Sequence, residues 1–215
     1  MRKNAIVFLL LIVILILPVG MRAQEMKSIK LPDPQTDKGR PLMQVLKDRK
    51  SQREFSPREL PLQALSDMLW AAFGINRPDS GGRTAPSVMH MQEIDIYVAK
   101  SDGLYLYDAK KNMLIQILAE DIRAKTGKQA FVGTAPVNLI YVADVSRMGN
   151  ISAEDKNFYA ATDTGFISQN VYLYCASEGL ATVVRGLFDR AVLEKAMKLQ
   201  SNQRVILTQT VGYPK

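Results

Sequence analysis

The run Arg49-Lys50-Ser51-Gln52-Arg53 sets two guanidiniums four residues apart, with an ammonium and a hydroxyl between them. Arginine makes paired, permanently charged hydrogen bonds to phosphate or carboxylate oxygens, and serine adds a neutral donor. Such a set suits one ligand carrying a phosphate at one end and an electron-rich carbonyl at the other. A run of charge at a helix end also serves as a plain solvated face, so its meaning rests on what else in the chain could join it.

Three later segments could join it. Arg83-Thr84-Ala85-Pro86-Ser87-Val88-Met89-His90-Met91-Gln92 follows a glycine-containing loop and precedes a strand-like run. His90 is the chain's only histidine, able to hydrogen-bond and to change charge near neutral pH. Asp163 to Asp189 contains Gln169-Asn170, Gly179-Leu180-Ala181-Thr182 and Val184-Arg185-Gly186-Leu187-Phe188-Asp189. Gly186 there suits a close approach of backbone to ligand, although a helix end followed by a turn would use the same glycines. The fourth segment, Val211-Gly212-Tyr213-Pro214-Lys215, offers a turn and one ammonium.

In this order the four segments resemble the nitroreductase-like FMN-dependent oxidoreductases. Asp48-Arg-Lys-Ser-Gln-Arg-Glu-Phe55 matches that family's opening Arg-x-Ser-x-Arg-x-Phe. Pro86 to Gln92 is similar to its Pro-Ser-x-x-Asn-x-Gln loop, with His90 at the Asn position. Residues 163–189 follow its order of helix, Gly-Leu turn, short strand and Gly-x-Phe-Asp, and Gly212-Tyr213-Pro214 its final turn. Trp70-Ala-Ala-Phe-Gly-Ile-Asn-Arg77 and the Arg-Thr-Ala-Pro-Ser loop are similar to the branch that includes azoline and thiazoline dehydrogenases.

The resemblance implies an α+β flavoprotein with a central, mostly antiparallel sheet wrapped by helices. It also implies an intertwined homodimer with two FMN sites at the subunit interface. The reaction it implies is transfer of a hydride or electron pair to or from a small-molecule redox substrate, in two half-reactions. Arg49 would take the FMN phosphate, with Lys50 in the same cluster and Lys215 reaching it from the C-terminus. Arg53 would face the pyrimidine edge and Ser51 the phosphate or ribityl region. Pro86, Ser87, Val88 and His90 would wall one side of the ring. Backbone amides of Val184, Arg185 and Gly186 would wall the other, near the reactive nitrogen. No side chain emerges as a general acid or base. A second reading is an exported flavin- or ligand-binding module that keeps the fold without turnover, drawn from His90 at the Asn position and the single ammonium of Lys215.

Other chemistries lack their parts. One histidine leaves a Ser-His-Asp triad a single centre, and no Gly-x-Ser-x-Gly elbow occurs. No cluster has metal-ligand spacing, and neither a Walker loop nor Gly-x-Gly-x-x-Gly is present. The formal charge of +7 is modest, and no segment interleaves aromatics with basic residues, which argues against nucleic-acid binding. Cys175 is the only cysteine, so no intrachain disulfide can form; on its apolar helix it reads as a small buried thiol.

The elements that must position these residues are also legible. Arg2 and Lys3 precede an apolar run of 15 residues from Ala5 to Val19, shorter than the ~20 a comfortable membrane span needs. Residues 1–23 therefore read as a secretory signal that exports the mature chain, to the periplasm in a bacterial cell, leaving no stable span once cleaved. An uncleaved helix anchored in the inner membrane is the alternative. Residues 24–40 form an extended lead-in and 41–215 one domain. Leu42, Val45 and Leu46, then Leu62, Leu65, Met68, Leu69 and Ala72 up to Gly74, have helical spacing. Asn76 to Gly82 reads as a loop, Ile94–Val98 as a strand, Gly103–Tyr107 with Met113–Ile117 as a hairpin, and Glu120–Lys125 as a short helix. Val137–Val142 is the apolar run of a central strand. Ser152-Ala-Glu-Asp155 opens a long helix on which Ala161, Gly165, Ser168 and Tyr172 form a stripe open to close helix packing. Asp189 caps a further helix, and Arg204–Thr208 is the last strand.

N-terminal mass mapping of protein recovered from the cell envelope should find a new terminus near Gln24. Met1 retained in a membrane fraction would establish the anchor instead.

Overall fold

The computed structural model describes residues 27–215; the signal reading of residues 1–23 lies outside that range. An interior strand of the main sheet is β7 (Val137–Asp144), whose residues from Val137 to Ala143 are all buried, as expected of a strand covered on both faces. β4 (Ile94–Lys100) and β9 (Gln203–Gly212) flank it. β5 (Gly103–Asp108) and β6 (Met113–Leu118) continue from β4 as a hairpin, and β8 (Ala181–Arg185) borders β9. With β1 (Ser28–Lys30) on β6, the order is β1-β6-β5-β4-β7-β9-β8, and every ladder is antiparallel. The fold is thus α+β, as the resemblance implies.

Helices cover both faces. α3 (Ala153–Glu178) lies on one face and buries Ala160, Ile167, Val171 and Cys175 against the sheet. Ser152 caps it through the Asp155 N–H, and Gly179, at φ 69°, ends it in the left-handed conformation that glycine adopts freely. α2 (Leu62–Phe73) packs beside α3 through Leu65, Met68 and Leu69. On the other face, α4 (Arg190–Met197) inserts Leu193 and Met197, and the Asp189 carboxylate caps it at the Val192 N–H. α1 (Leu42–Asp48) is short and buries only Val45; Leu42 and Leu46 of its apolar stripe face outward.

Three segments differ from their sequence reading. The lead-in supplies β1, which pairs with an edge of β6 that would otherwise stay open, and buries Leu31 just after it. The loop at 76–82 is closed by a two-stranded ladder of β2 (Ile75–Arg77) and β3 (Gly82–Arg83). The helix expected at 120–125 is a single 3-10 turn at Arg123–Thr126. There Asp121 takes both the backbone N–H and the guanidinium of Arg123, holding the chain in a turn.

Candidate functional site

The hydroxyl of Tyr172, on α3, gathers two of the sequence segments. Its Oη accepts the Val184 N–H at 2.9 Å and lies 2.8 Å from Ser51 Oγ. Its ring lies under the Arg49 guanidinium, 5.3 Å from centroid to Cζ. The loop after α1 is held in place by its backbone: Gln52 N–H donates to Thr182 O of β8 at 2.9 Å and Ser56 N–H to Tyr213 O at 2.9 Å. Phe55 and Pro214 form an isolated bridge, so the C-terminal turn joins the same place. Arg49, Lys50 and Arg53 enter no ion pair among the described residues. Lys50, Ser51, Arg53 and Lys215 are exposed. Arg49, Lys50, Gln52, Gly179 and Pro214 line a cavity of about 500 Å³.

The three wall residues of β8 and its exit behave differently. Val184 has its N–H engaged by Tyr172. Arg185 turns its side chain inward, to Thr126 O at 2.8 Å and Asn138 Oδ1 at 2.9 Å, so it presents only backbone to the outside. Gly186 is exposed, and a Cβ there would meet nothing nearer than Leu207 Cδ2 at 3.9 Å.

The Pro86–His90 loop is elsewhere in the chain. Val88 N–H donates to Asp163 Oδ2 at 2.9 Å. Asp163 lies nine residues before Tyr172 on α3, roughly 13 Å along a helix rising about 1.5 Å per residue. The loop is strained: Met89, His90 and Gln92 have φ of 45°, 59° and 48°, a region uncommon for residues other than glycine and often found at functional sites. Gln92 secures it, accepting from Arg83 Nε at 2.7 Å and donating to Gly81 O at 2.9 Å. That fixes the amide orientation, so the 3.0 Å contact between Gln92 Nε2 and His90 Nε2 makes the imidazole nitrogen the acceptor.

Beneath this loop sit two buried carboxyls, Glu93 and Asp163, from β4's approach and α3. Neither Glu93 oxygen meets an N–H or hydroxyl donor among the described residues. The group facing it is the Asp163 carboxyl. Burial pushes the Glu93 carboxyl up to about 7, the facing Asp163 carboxylate adds to this, and Arg147 opposes it. Tyr172, Asp163 and Glu93 were not among the expected site residues. Only Tyr172 carried a sequence signal, one helical turn beyond Ser168 in the small-residue stripe.

This antiparallel sheet with its flanking helices defines an α+β fold that carries a cationic loop at one edge. The chain belongs to the nitroreductase family, whose profile matches residues 46–213. It is 32% identical over 183 residues to a nitroreductase-family protein of Methanocaldococcus jannaschii, covering 80% of this chain and 90% of that one. It is 45% identical to a nitroreductase-family crystal structure from Ralstonia eutropha, with a TM-score of 0.84 over 87% of this chain and 90% of that one. The NADPH:FMN oxidoreductase of Vibrio harveyi, solved with NAD+, shares the fold at 20% identity and a TM-score of 0.62, over 81% of this chain and 69% of that one.

The Glu93 proton gives a pH-dependent stability. Its folded value of about 7 lies above the ordinary 4.5, so the folded state binds more protons between those values. Stability from this group is therefore fully present below about pH 4.5 and is lost as pH rises to about 7. Thermal melts of Glu93→Gln, which keeps a neutral donor toward Asp163, should lose this slope and exceed the wild type in Tm at about pH 8. An unchanged slope would show that the proton resides elsewhere.

Proposed function

We propose that this protein is an FMN-dependent oxidoreductase that works as a homodimer on a small-molecule redox substrate. The observation that carries the reading is the set of three cations, Arg49, Lys50 and Arg53, without carboxylate partners among the described residues and joined through Ser51 and Tyr172 to the backbone at Val184. Their donor chemistry fits a phosphate and a carbonyl edge, and the open face at Gly186 fits a flat ring. The Vibrio harveyi protein of the same fold, an NADPH:FMN oxidoreductase, supports the choice of cofactor.

In this reading Arg49 and Lys50, with Lys215, hold the phosphate, and Ser51 donates to the phosphate or ribityl chain. Arg53 lies at the pyrimidine edge, where a cation stabilises the negative charge of the reduced ring. Bound FMN would supply the acceptor and donor of the electron pair in two half-reactions. The Gly186 N–H faces the reactive edge, and Tyr172 fixes the Val184 wall against the Arg49–Arg53 loop. Export beyond the supply of NAD(P)H would call for another electron partner, such as oxygen, a quinone or an oxidisable substrate.

Two features support the homodimer. The Pro86–His90 loop stands too far along α3 to close over its own chain's Val184–Gly186, and a second copy could bring it there. Phe158 and Phe166 on α3 are 63% and 45% exposed and Leu187 is 57% exposed, an apolar face of the kind that marks an interface. Gly165 lies among them, exposed, and a Cβ there would meet nothing within 4 Å in its own chain.

The purified protein should be yellow, bleach with dithionite and regain its colour in air; a colourless protein that ignores added FMN would favour the binding module. Arg53→Ala should weaken FMN binding and lower its reduction potential, whereas Arg49→Ala should mainly weaken binding. Losing a charged hydrogen bond costs about 1.5–3 kcal/mol, roughly ten- to a hundredfold in affinity. Equal potentials in the two variants would show that the ring-versus-phosphate assignment is wrong.

Gly165→Leu has room within one chain, so its effect falls on the partner contact. Sedimentation should show a lower dimer fraction and released FMN with the monomer's melting temperature kept. A variant that stays dimeric and loaded would place the interface on another face.

A further inference from the structure

We propose that the Arg185 guanidinium raises the reduction potential of FMN held against Val184–Gly186, acting as a fixed positive charge behind the ring and not as a ligand to it. This inference rests on the FMN reading above and adds a residue that never touches the cofactor.

Arg185 is 4% exposed. Along β8 it shares a face with Ala181 and Val183, which pack with Phe55, Ala135 and Phe131, and strand alternation alone sends its side chain into that cluster. Every acceptor it meets is neutral: Thr126 O and Asn138 Oδ1. Both are shared with other donors, since Thr208 Oγ1 also bonds Thr126 O and Thr210 Oγ1 also bonds Asn138 Oδ1. Its Nε has no partner among the described residues, and its Cζ is 5.9 Å from the Phe131 ring centroid. No carboxylate forms an ion pair with it among the described residues.

The cavity for this cation is built into the fold. A Cβ at Gly127 would lie 1.9 Å from the Arg185 terminal nitrogen, so glycine is required beside it. Burying a cation without a counter-ion is costly. Burial pulls the guanidinium down to about 10, which still leaves it charged at neutral pH. In a poorly screened interior such a charge acts over distance. Its own backbone is part of the Val184–Gly186 wall, so the charge stands on the inner side of that wall. Uptake of a hydride adds two electrons and one proton to the ring and leaves it one unit more negative, the form a cation behind it favours.

A purely structural role would also explain the contacts, since Arg185 ties β7, β8 and the 123–127 turn together. Redox titration of the FMN-loaded protein separates the two. Arg185→Gln should disfavour the reduced form about tenfold, a fall of about 30 mV for a two-electron couple, while Arg185→Lys stays near the wild type. Asn138→Asp keeps Arg185 and places a compensating carboxylate on it, so it should lower the potential in the same direction and decides the matter if Arg185→Gln fails to fold. Equal shifts in the Lys and Gln variants, or an unchanged potential in folded Asn138→Asp, would overturn the inference while leaving the FMN reading intact. Wild-type protein that takes up no FMN would overturn both.

Discussion

One phenolic oxygen joins three separate parts of the chain. Tyr172 Oη takes the Val184 N–H and meets Ser51 Oγ, so α3, the exit of α1 and the outer strand of the sheet share a fixed point. The constraint behind it is the burial of a long helix across an antiparallel sheet. Val171 and Cys175 are buried, which leaves Tyr172 on the flank of the helix where the strand edge passes. Without that packing, the cations of the Arg49–Arg53 loop would be an ordinary charged helix end. With it, they are held beside a backbone edge open enough for a planar ligand.

Electrostatics divides the interior into two regions of opposite sign. Under the strained Met89–Gln92 turn, burial holds the Glu93 carboxyl up to about 7 opposite Asp163, whose Oδ2 accepts the Val88 N–H. Behind β8, Arg185 has only neutral dipoles around it. A third buried charge, Asp67 on α2, has a counter-ion: its Oδ1 accepts from Gln35 N–H and Gln63 Nε2 at 2.8 Å each, and its Oδ2 lies 2.6 Å from Lys38 Nζ. Asp67 therefore ties the lead-in to α2, whereas Arg185 has no ion-pair partner among the described residues and Glu93 faces another carboxyl, each next to a wall expected of the cofactor site.

Much of the fold was legible because its signals are local. The apolar run of β7, the alternation of the β5–β6 hairpin and the caps at Ser152, Gly179 and Asp189 each act within a few residues. The cationic loop and the Val184–Gly186 wall were legible as motifs. What stayed hidden depends on partners far apart in sequence. Glu93 and Asp163 are far apart in sequence, and only the sheet and α3 bring them together. β1 reads as a linker because its partner is β6, far along the chain. The inward turn of Arg185 was available from strand parity, since it has the same parity as Ala181 and Val183, but its charge argued for the surface.

The placement of β1 has a consequence for how the molecule can be tethered. β1 and β8 occupy opposite edges of a seven-stranded sheet, and six inter-strand spacings of about 4.8 Å put them roughly 30 Å apart. The chain therefore enters the described domain at the margin farthest from the cationic loop, and only afterwards, through residues 31–41, crosses back over α2 and α3 to reach α1. Any surface or fusion partner joined ahead of Lys27 would meet the domain at the β1 margin of the sheet, opposite the β8 edge that the Arg49–Arg53 loop adjoins.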